Sequence, residues 1–191
     1  MTTQKDVQEL LDILAAKGND AYFGEQVSVL EHCLQCAHFA ERSHASPSTI
    51  AAALLHDIGH ILHDLPEDYA RQGKDGWHEE IGAKYLSHWF DEAVTEPVRL
   101  HVAAKRYLCA TDPSYISRLS DASIESMQVQ GGIMSSEEAS AFAALPNAAL
   151  AVQLRFWDEE AKIIGLEVPG LPHYLPILHA ALREPVIDRA P

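Results

Sequence analysis

The stretch AALLHDIGH, Ala52 to His60, sets a histidine and an aspartate side by side at the end of an apolar run. Ser46 suits a helix cap and Pro47 a first helical turn, so a helix is expected through Ile50 and Leu55, ending near Gly59 or a turn beyond. Two unpaired polar side chains on so apolar a helix would cost several kcal/mol. A metal ion removes that cost, because neutral imidazole and carboxylate are its ligands. Adjacent residues on a helix diverge by about 100°, so Asp57 could bridge two metals while His56 serves one.

Outward from this stretch the pattern is helical almost throughout. Leu10, Leu11, Ile13 and Leu14 follow helical spacing, and Gly18 reads as a stop. Residues 25–43 read as one helix, with Val29, Leu30, Cys33, Cys36, Ala37 and Ala40 on a broad apolar face. A loop from Pro66 to Gly76 follows. Helices are then expected over 77–90, 96–107, 114–121 and 148–164, with a last one over 175–183. Ser135 and Glu138 have the spacing of a capping box. No segment alternates in the manner of a strand, and no repeat or linker is evident. The expectation is one all-α domain over 1–191, with a site-bearing core over about 22–162 and a C-terminal helical extension over 163–191.

A chain of 191 residues with 47% hydrophobic residues can build one substantial core. Its formal net charge of -14 argues against nucleic acid and against an anionic membrane surface. No apolar run approaches the roughly 20 residues needed to cross a bilayer, and the N-terminus reads as an amphipathic helix rather than a signal peptide. Cys33, Cys36 and Cys109 are too few for a disulfide framework. A cytoplasmic protein, monomeric or weakly self-associating, is expected. Cys33-x-x-Cys36 lacks the βαβ context of a redox pair and reads as two small buried hydrophobes.

Eleven histidines are a heavy load for this length. His38, His44, His63, His88 and His179 read as ordinary surface or hydrogen-bonded residues. The set His32, His56, Asp57, His78, His101 and Asp158 is different, since it combines imidazole and carboxylate without thiolate and suits iron, manganese or zinc. Other polar residues fall beside these candidates at helical spacing. Lys105 follows His101 by four, Arg155 precedes Asp158 by three, and His60 follows His56 by four. Lys105, Arg155 and His60 would form a cationic pocket in an acidic protein, which suits a phosphate or phosphonate group.

The order His32, His56-Asp57, Asp158 resembles the HD-domain superfamily, all-α metal-dependent proteins of which most are phosphohydrolases. The intervening His78 and His101 match its two-metal branch. The stretches YFGE, LEHCLQCAHFA, LLHDIGH, WHEEIGAKYL, HVAAKRYL, SDAS, MQVQGG and RFWDEEAK resemble more closely the HD-domain mixed-valent di-iron oxygenases, which cleave the carbon–phosphorus bond of 1-hydroxy-2-aminoethylphosphonates. Ile133 in QGGIM departs from the expected proline. The resemblance implies a helical bundle with a dinuclear site in its core. It implies an Fe(II)/Fe(III) pair, O2 as co-substrate, and release of phosphate with glycine or glycine betaine. One iron would be held by His32, His56, Asp57 and Asp158, the other by Asp57, His78 and His101. Tyr22 would occupy an iron position at rest, and Glu25 would share its mobile lid. Glu25, His60, Lys105, Ser123 and Arg155 would bind substrate, with Tyr22, Glu25, His60 and Lys105 serving the chemistry. Beyond Glu25 for a primary ammonium, Tyr22, Phe23, Trp77, Tyr107, Phe156 and Trp157 offer aromatic faces for a trimethylammonium. The alternative is a metal-dependent phosphohydrolase acting on a nucleotide or phosphate ester. A non-catalytic metabolite sensor would have no need of the full ligand set.

Overall fold

The computed structural model of the chain describes residues 6–19, 24–63, 65, 69–70 and 72–183. At its centre lies α3 (Pro47–Leu55), capped by the Ser46 side chain, with every residue from Ala51 to Leu55 fully buried. A helix apolar all round has to be enclosed by others. Here α2 (Val29–Arg42), α6 (Glu92–Thr111), α9 (Ala148–Glu160) and α10 (Leu171–Ala181) pack on it. The short α4 (Ile58–Leu62) follows and lies on α5 (His78–Leu86) and α1 (Gln8–Lys17). Two smaller helices, α7 (Asp121–Val129) and α8 (Ser136–Ala143), cover the outer side of α6. The secondary structure of the described residues is helical, and the all-α expectation holds. No described helix is long and apolar enough to cross a membrane. The main core gathers Leu10, Leu14, Cys33, Cys36, Leu54, Leu55, Trp89 and Phe90, and α10 adds Tyr174 and Leu178.

Several element boundaries differ from the sequence expectation, each for a local reason. The helix expected through His56 and Asp57 breaks there, since α3 ends at Leu55 and Asp57 leaves helical geometry (φ -100°, ψ 10°) before α4. The helix expected from Glu25 starts at Val29, where Ser28 and Glu31 form a capping box. Residues 114–121 form no α-helix; a 3-10 turn spans Ile116–Arg118, and Ser120 then caps α7. The helix expected from 96 starts at Glu92 behind an Asp91 cap, with Pro97 inside it. The last two helices are Ala148–Glu160 and Leu171–Ala181 rather than 148–164 and 175–183. Ser135 and Glu138 do form a capping box at α8, and Ile133 sits exposed before it.

Candidate metal centre and adjoining cavity

Five elements bring the candidate ligands to one buried point. His32 comes from α2, His56 from the end of α3, Asp57 from the break that follows, and His78 from the first position of α5. His101 comes from α6 and Asp158 from α9. All six are buried. Asp57 stands in the middle and divides its oxygens. Its Oδ2 lies 3.6 Å from His32 Nε2 and 3.4 Å from His56 Nε2, while its Oδ1 lies 3.5 Å from His78 Nε2 and 3.6 Å from His101 Nε2. The two groupings that could hold an ion are therefore His32–His56–Asp57 and Asp57–His78–His101, with Asp57 shared. Asp158 Oδ1 stands 3.4 Å from His32 Nε2 on the far side of the first grouping.

The tautomers follow from the main chain. Nδ1 of His32, His56 and His101 donates to the carbonyl oxygens of Ala161, Ala53 and Val98, at 2.8, 2.9 and 2.6 Å. A carbonyl only accepts, so Nδ1 carries the hydrogen and Nε2 is left with a lone pair. Nε2 of His32 then faces Nε2 of His56 at 3.2 Å, and Nε2 of His78 faces Nε2 of His101 at 3.0 Å. Nδ1 of His78 has no carbonyl partner among the described residues and lies 3.5 Å from Glu79 Oε2, so the tautomer of that ring is not fixed by the main chain. Between His32 and His56 two lone pairs face each other and cannot satisfy one another. A cation bound to both at the usual imidazole distance of about 2.1 Å requires such a separation, about 3 Å. The donor set thus fits two metal ions bridged by a carboxylate.

Burial alone would lower His56, but the Asp57 carboxylate beside it holds it well above the ordinary imidazole range, so a metal bound at its Nε2 would displace a proton. Burial alone would raise the Asp57 carboxyl, but His56, with His60 and His78 behind it, holds it well below the usual carboxylate range. Burial pushes His78 well below the ordinary imidazole value and His101 down to about 4, so both rings are neutral and free to ligate. Burial also pushes the Cys33 and Cys36 thiols up, in keeping with inert apolar side chains.

A cavity of about 430 Å³ opens beside the second grouping, lined by Asp57, His60, His78, His101, Lys105, Ser123 and Arg155 among others. His60 stacks on His78 with ring centres 3.8 Å apart, and burial lowers it to about 3. Lys105 is buried, and its Nζ donates to Ser126 Oγ at 2.8 Å and Gln130 Oε1 at 2.7 Å, both neutral acceptors. Burial, with Arg155 nearby, lowers its ammonium to about 7. Arg155 is already paired with Asp158, with Glu159 Oε2 at 2.5 Å, and with Tyr115 OH at 3.0 Å, while its Nη2 reaches Ser123 Oγ at 3.3 Å. Glu25 lies on the same wall, its Oε1 accepting from Ser120 Oγ at 2.5 Å.

Tyr22 and Phe23 lie outside the described residues. The other aromatic candidates do not line this cavity. Trp157 is in the main core, Tyr107 packs on Phe142, Phe156 on Tyr115, and Trp77 is exposed. Among the described lining residues the aromatic other than histidine is Tyr69, which sequence reading did not single out. Ser126 and Gln130 were visible only as members of the stretch SDAS to MQVQGG, and nothing local marks Tyr115.

The HD domain family matches residues 29–127. The chain is 44% identical to the hydroxymethylphosphonate dioxygenase of Gimesia maris over 91% of this chain and 86% of that one. It is 42% identical to the glycine-betaine-forming [1-hydroxy-2-(trimethylamino)ethyl]phosphonate dioxygenase of Leisingera caerulea, over 87% and 85%. An uncharacterized protein, L432 of Acanthamoeba polyphaga mimivirus, is 32% identical over 94% and 83%. With two histidine groupings joined at Asp57 and relatives aligned over most of its length, the chain belongs to the HD-domain family, in the same group as these phosphonate dioxygenases.

Proposed function

We propose that the protein is an iron-dependent oxygenase that cleaves the carbon–phosphorus bond of a small 1-hydroxyphosphonate. The observation that carries the reading is Lys105. A buried ammonium whose hydrogen-bond partners are neutral, on a cavity wall beside two candidate metal positions, is a site made for an anion. The names of the two dioxygenase relatives support a phosphonate as that anion. In the proposed reaction the 1-hydroxyphosphonate and O2 give a carboxylate, phosphate and a proton. The substrate supplies all four electrons that O2 accepts, so no external reductant is required.

Two irons, a mixed-valent Fe(II)/Fe(III) pair held by the ligands above, would supply the O2 site and a Lewis acid for the 1-hydroxyl. Lys105 and Ser123 bind phosphonate oxygens, and Arg155 contributes the edge that faces Ser123. His60, neutral at working pH and braced against His78, accepts or donates one hydrogen bond at the substrate hydroxyl. Held in this way, C1 would lie beside the two histidine groupings, and that positioning is the main contribution of the side chains. Tyr22 is assigned the resting-state iron position and Glu25 the cavity lip.

Phosphate release from hydroxymethylphosphonate, 1-hydroxy-2-aminoethylphosphonate and its N-trimethyl analogue, in air and under argon, tests the reading. Release confined to air is expected. Equal release under argon would make the protein a hydrolase, the activity for which a metal-bound hydroxide would suffice.

A further inference from the structure

A line of alternating charges runs from the metal centre to the rim of the cavity. Asp158 pairs with Arg155, and Arg155 Nη2 lies 2.5 Å from Glu159 Oε2. Glu159 Oε1 lies 3.0 Å from Lys162 Nζ, and Lys162 Nζ lies 3.2 Å from Glu25 Oε1. Lys162 is only slightly exposed, and its Nζ also reaches Ser123 Oγ at 3.1 Å and Ser120 Oγ at 3.3 Å. The line sets three carboxylates, Asp158, Glu159 and Glu25, against Arg155 and Lys162. At its outer end the Glu25 carboxylate, which lines the cavity, is paired with Lys162, and its Oε1 is shared between Lys162 and the Ser120 hydroxyl.

This matters for the far end of the substrate. A primary ammonium is a compact, strongly hydrated charge with three donors, and leaving water requires a carboxylate to receive it. Near Glu25 it would share the carboxylate with Lys162 and meet a like charge. A trimethylammonium has no N–H to satisfy and a diffuse charge, so it needs apolar and aromatic surface rather than a free carboxylate. The cavity supplies Tyr69, Ala70, Val102 and Ala122, and carries one further carboxylate, Glu125, on its described lining. Both dioxygenase relatives carry names whose substrates lack an ammonium N–H.

Resting on the phosphonate-cleaving reading, we propose that Lys162 is a specificity-determining residue: it takes up the Glu25 carboxylate and so turns the site away from substrates with a primary ammonium, toward those with a trimethylammonium or no amine. Lys162 acts through Glu25 and is not itself a catalytic residue.

The test compares wild type, Lys162→Met and Lys162→Arg, iron-loaded, on the same three phosphonates. Phosphate release in air is measured beside calorimetric binding without oxygen. Wild type should favour the trimethyl compound over the primary amine by about tenfold or more in kcat/KM, and Lys162→Met should shrink that preference by about tenfold, mainly through the KM of the primary amine. Lys162→Arg, which keeps the charge, should retain the wild-type preference. A wild type that handles the primary amine as well as the trimethyl compound overturns the proposal, even if Lys162→Met does not fold. So does a folded Lys162→Met with an unchanged preference, which would point to Glu125 as the ammonium's partner. Absence of phosphate from all three with wild type would instead remove the oxygenase reading, while the binding isotherms would still report the discrimination.

Discussion

Asp57 is the residue that makes one centre of two histidine pairs, because each of its oxygens faces a different pair. Replacing it with alanine should therefore empty both metal positions, whereas His101→Ala should spare the first. Metal analysis of the purified variants should give near zero for the former and about one equivalent for the latter, since losing even an indirect partner of a ligand costs about 10–100-fold in affinity. Lys105 carries the pH dependence. Its ammonium is lowered to about 7, so on the proposed function the charge that would receive the phosphonate is present below that pH and lost as pH rises through it. Phosphonate KM should accordingly rise above about pH 7, and Lys105→Arg should abolish that rise because guanidinium stays charged. The same shift has a stability sign. Between about 7 and the ordinary lysine value the unfolded chain binds the proton and the folded one does not, so stability of the metal-free protein should increase with pH across that window. The six candidate ligands, which the structure brings to one buried point, were legible as a set in the sequence because a metal restricts its partners to few residue types. Lys162 was visible only as the last residue of the stretch RFWDEEAK and Tyr69 was not singled out, because what they touch, Glu25 and His60 Nδ1, is set by how distant segments pack.

At the scale of elements, the decisive contact is the approach of α4 to α5. A methyl group on Gly59 would overlap the His78 carbonyl oxygen and stand 2.7 Å from its carbonyl carbon, against backbone that has no room to yield. Gly59→Ala should push α5 away and carry His78 off Asp57, costing about 1–3 kcal/mol by overpacking and the second metal with it. Thermal unfolding and metal content measured on one preparation check both halves. The helix core of α3 was legible from its unbroken apolar run, but the break at Asp57 was not. It is made by tertiary demand, since a carboxylate that serves two sides has to leave the helix that delivers it. The early start of α6 escaped for a similar reason: Pro97 looks like a first-turn residue, yet the Asp91 cap sets the boundary.

For the molecule as a whole, the candidate centre is tied to five helices, α2, α3, α5, α6 and α9, and to the break between α3 and α4, so occupancy and stability are linked. Each metal present at a thousandfold excess over its Kd stabilises the folded state by about 4 kcal/mol, so the pair contributes about 8 kcal/mol, roughly 20 °C in Tm for a domain of this size. Removal by a chelator should lower Tm by about that much without abolishing cooperative unfolding, as scanning calorimetry would register. A persistent transition is expected because Leu54, Leu55, Trp89 and the other core side chains need no ion to pack. The carbonyl-held ring protons of His32, His56 and His101 carry a further consequence. These rings are aimed by their surroundings before any ion arrives, so loading is an exchange with the cell's metal supply rather than a step of folding. A receptacle set in this way accepts whichever borderline divalent ion is most available, and the Irving–Williams order gives zinc or copper the advantage over iron. With iron as the proposed working metal, the growth medium rather than the chain would then decide how much of a preparation is active, and iron-poor cultures should yield well-folded, mismetallated protein that iron restores after chelation.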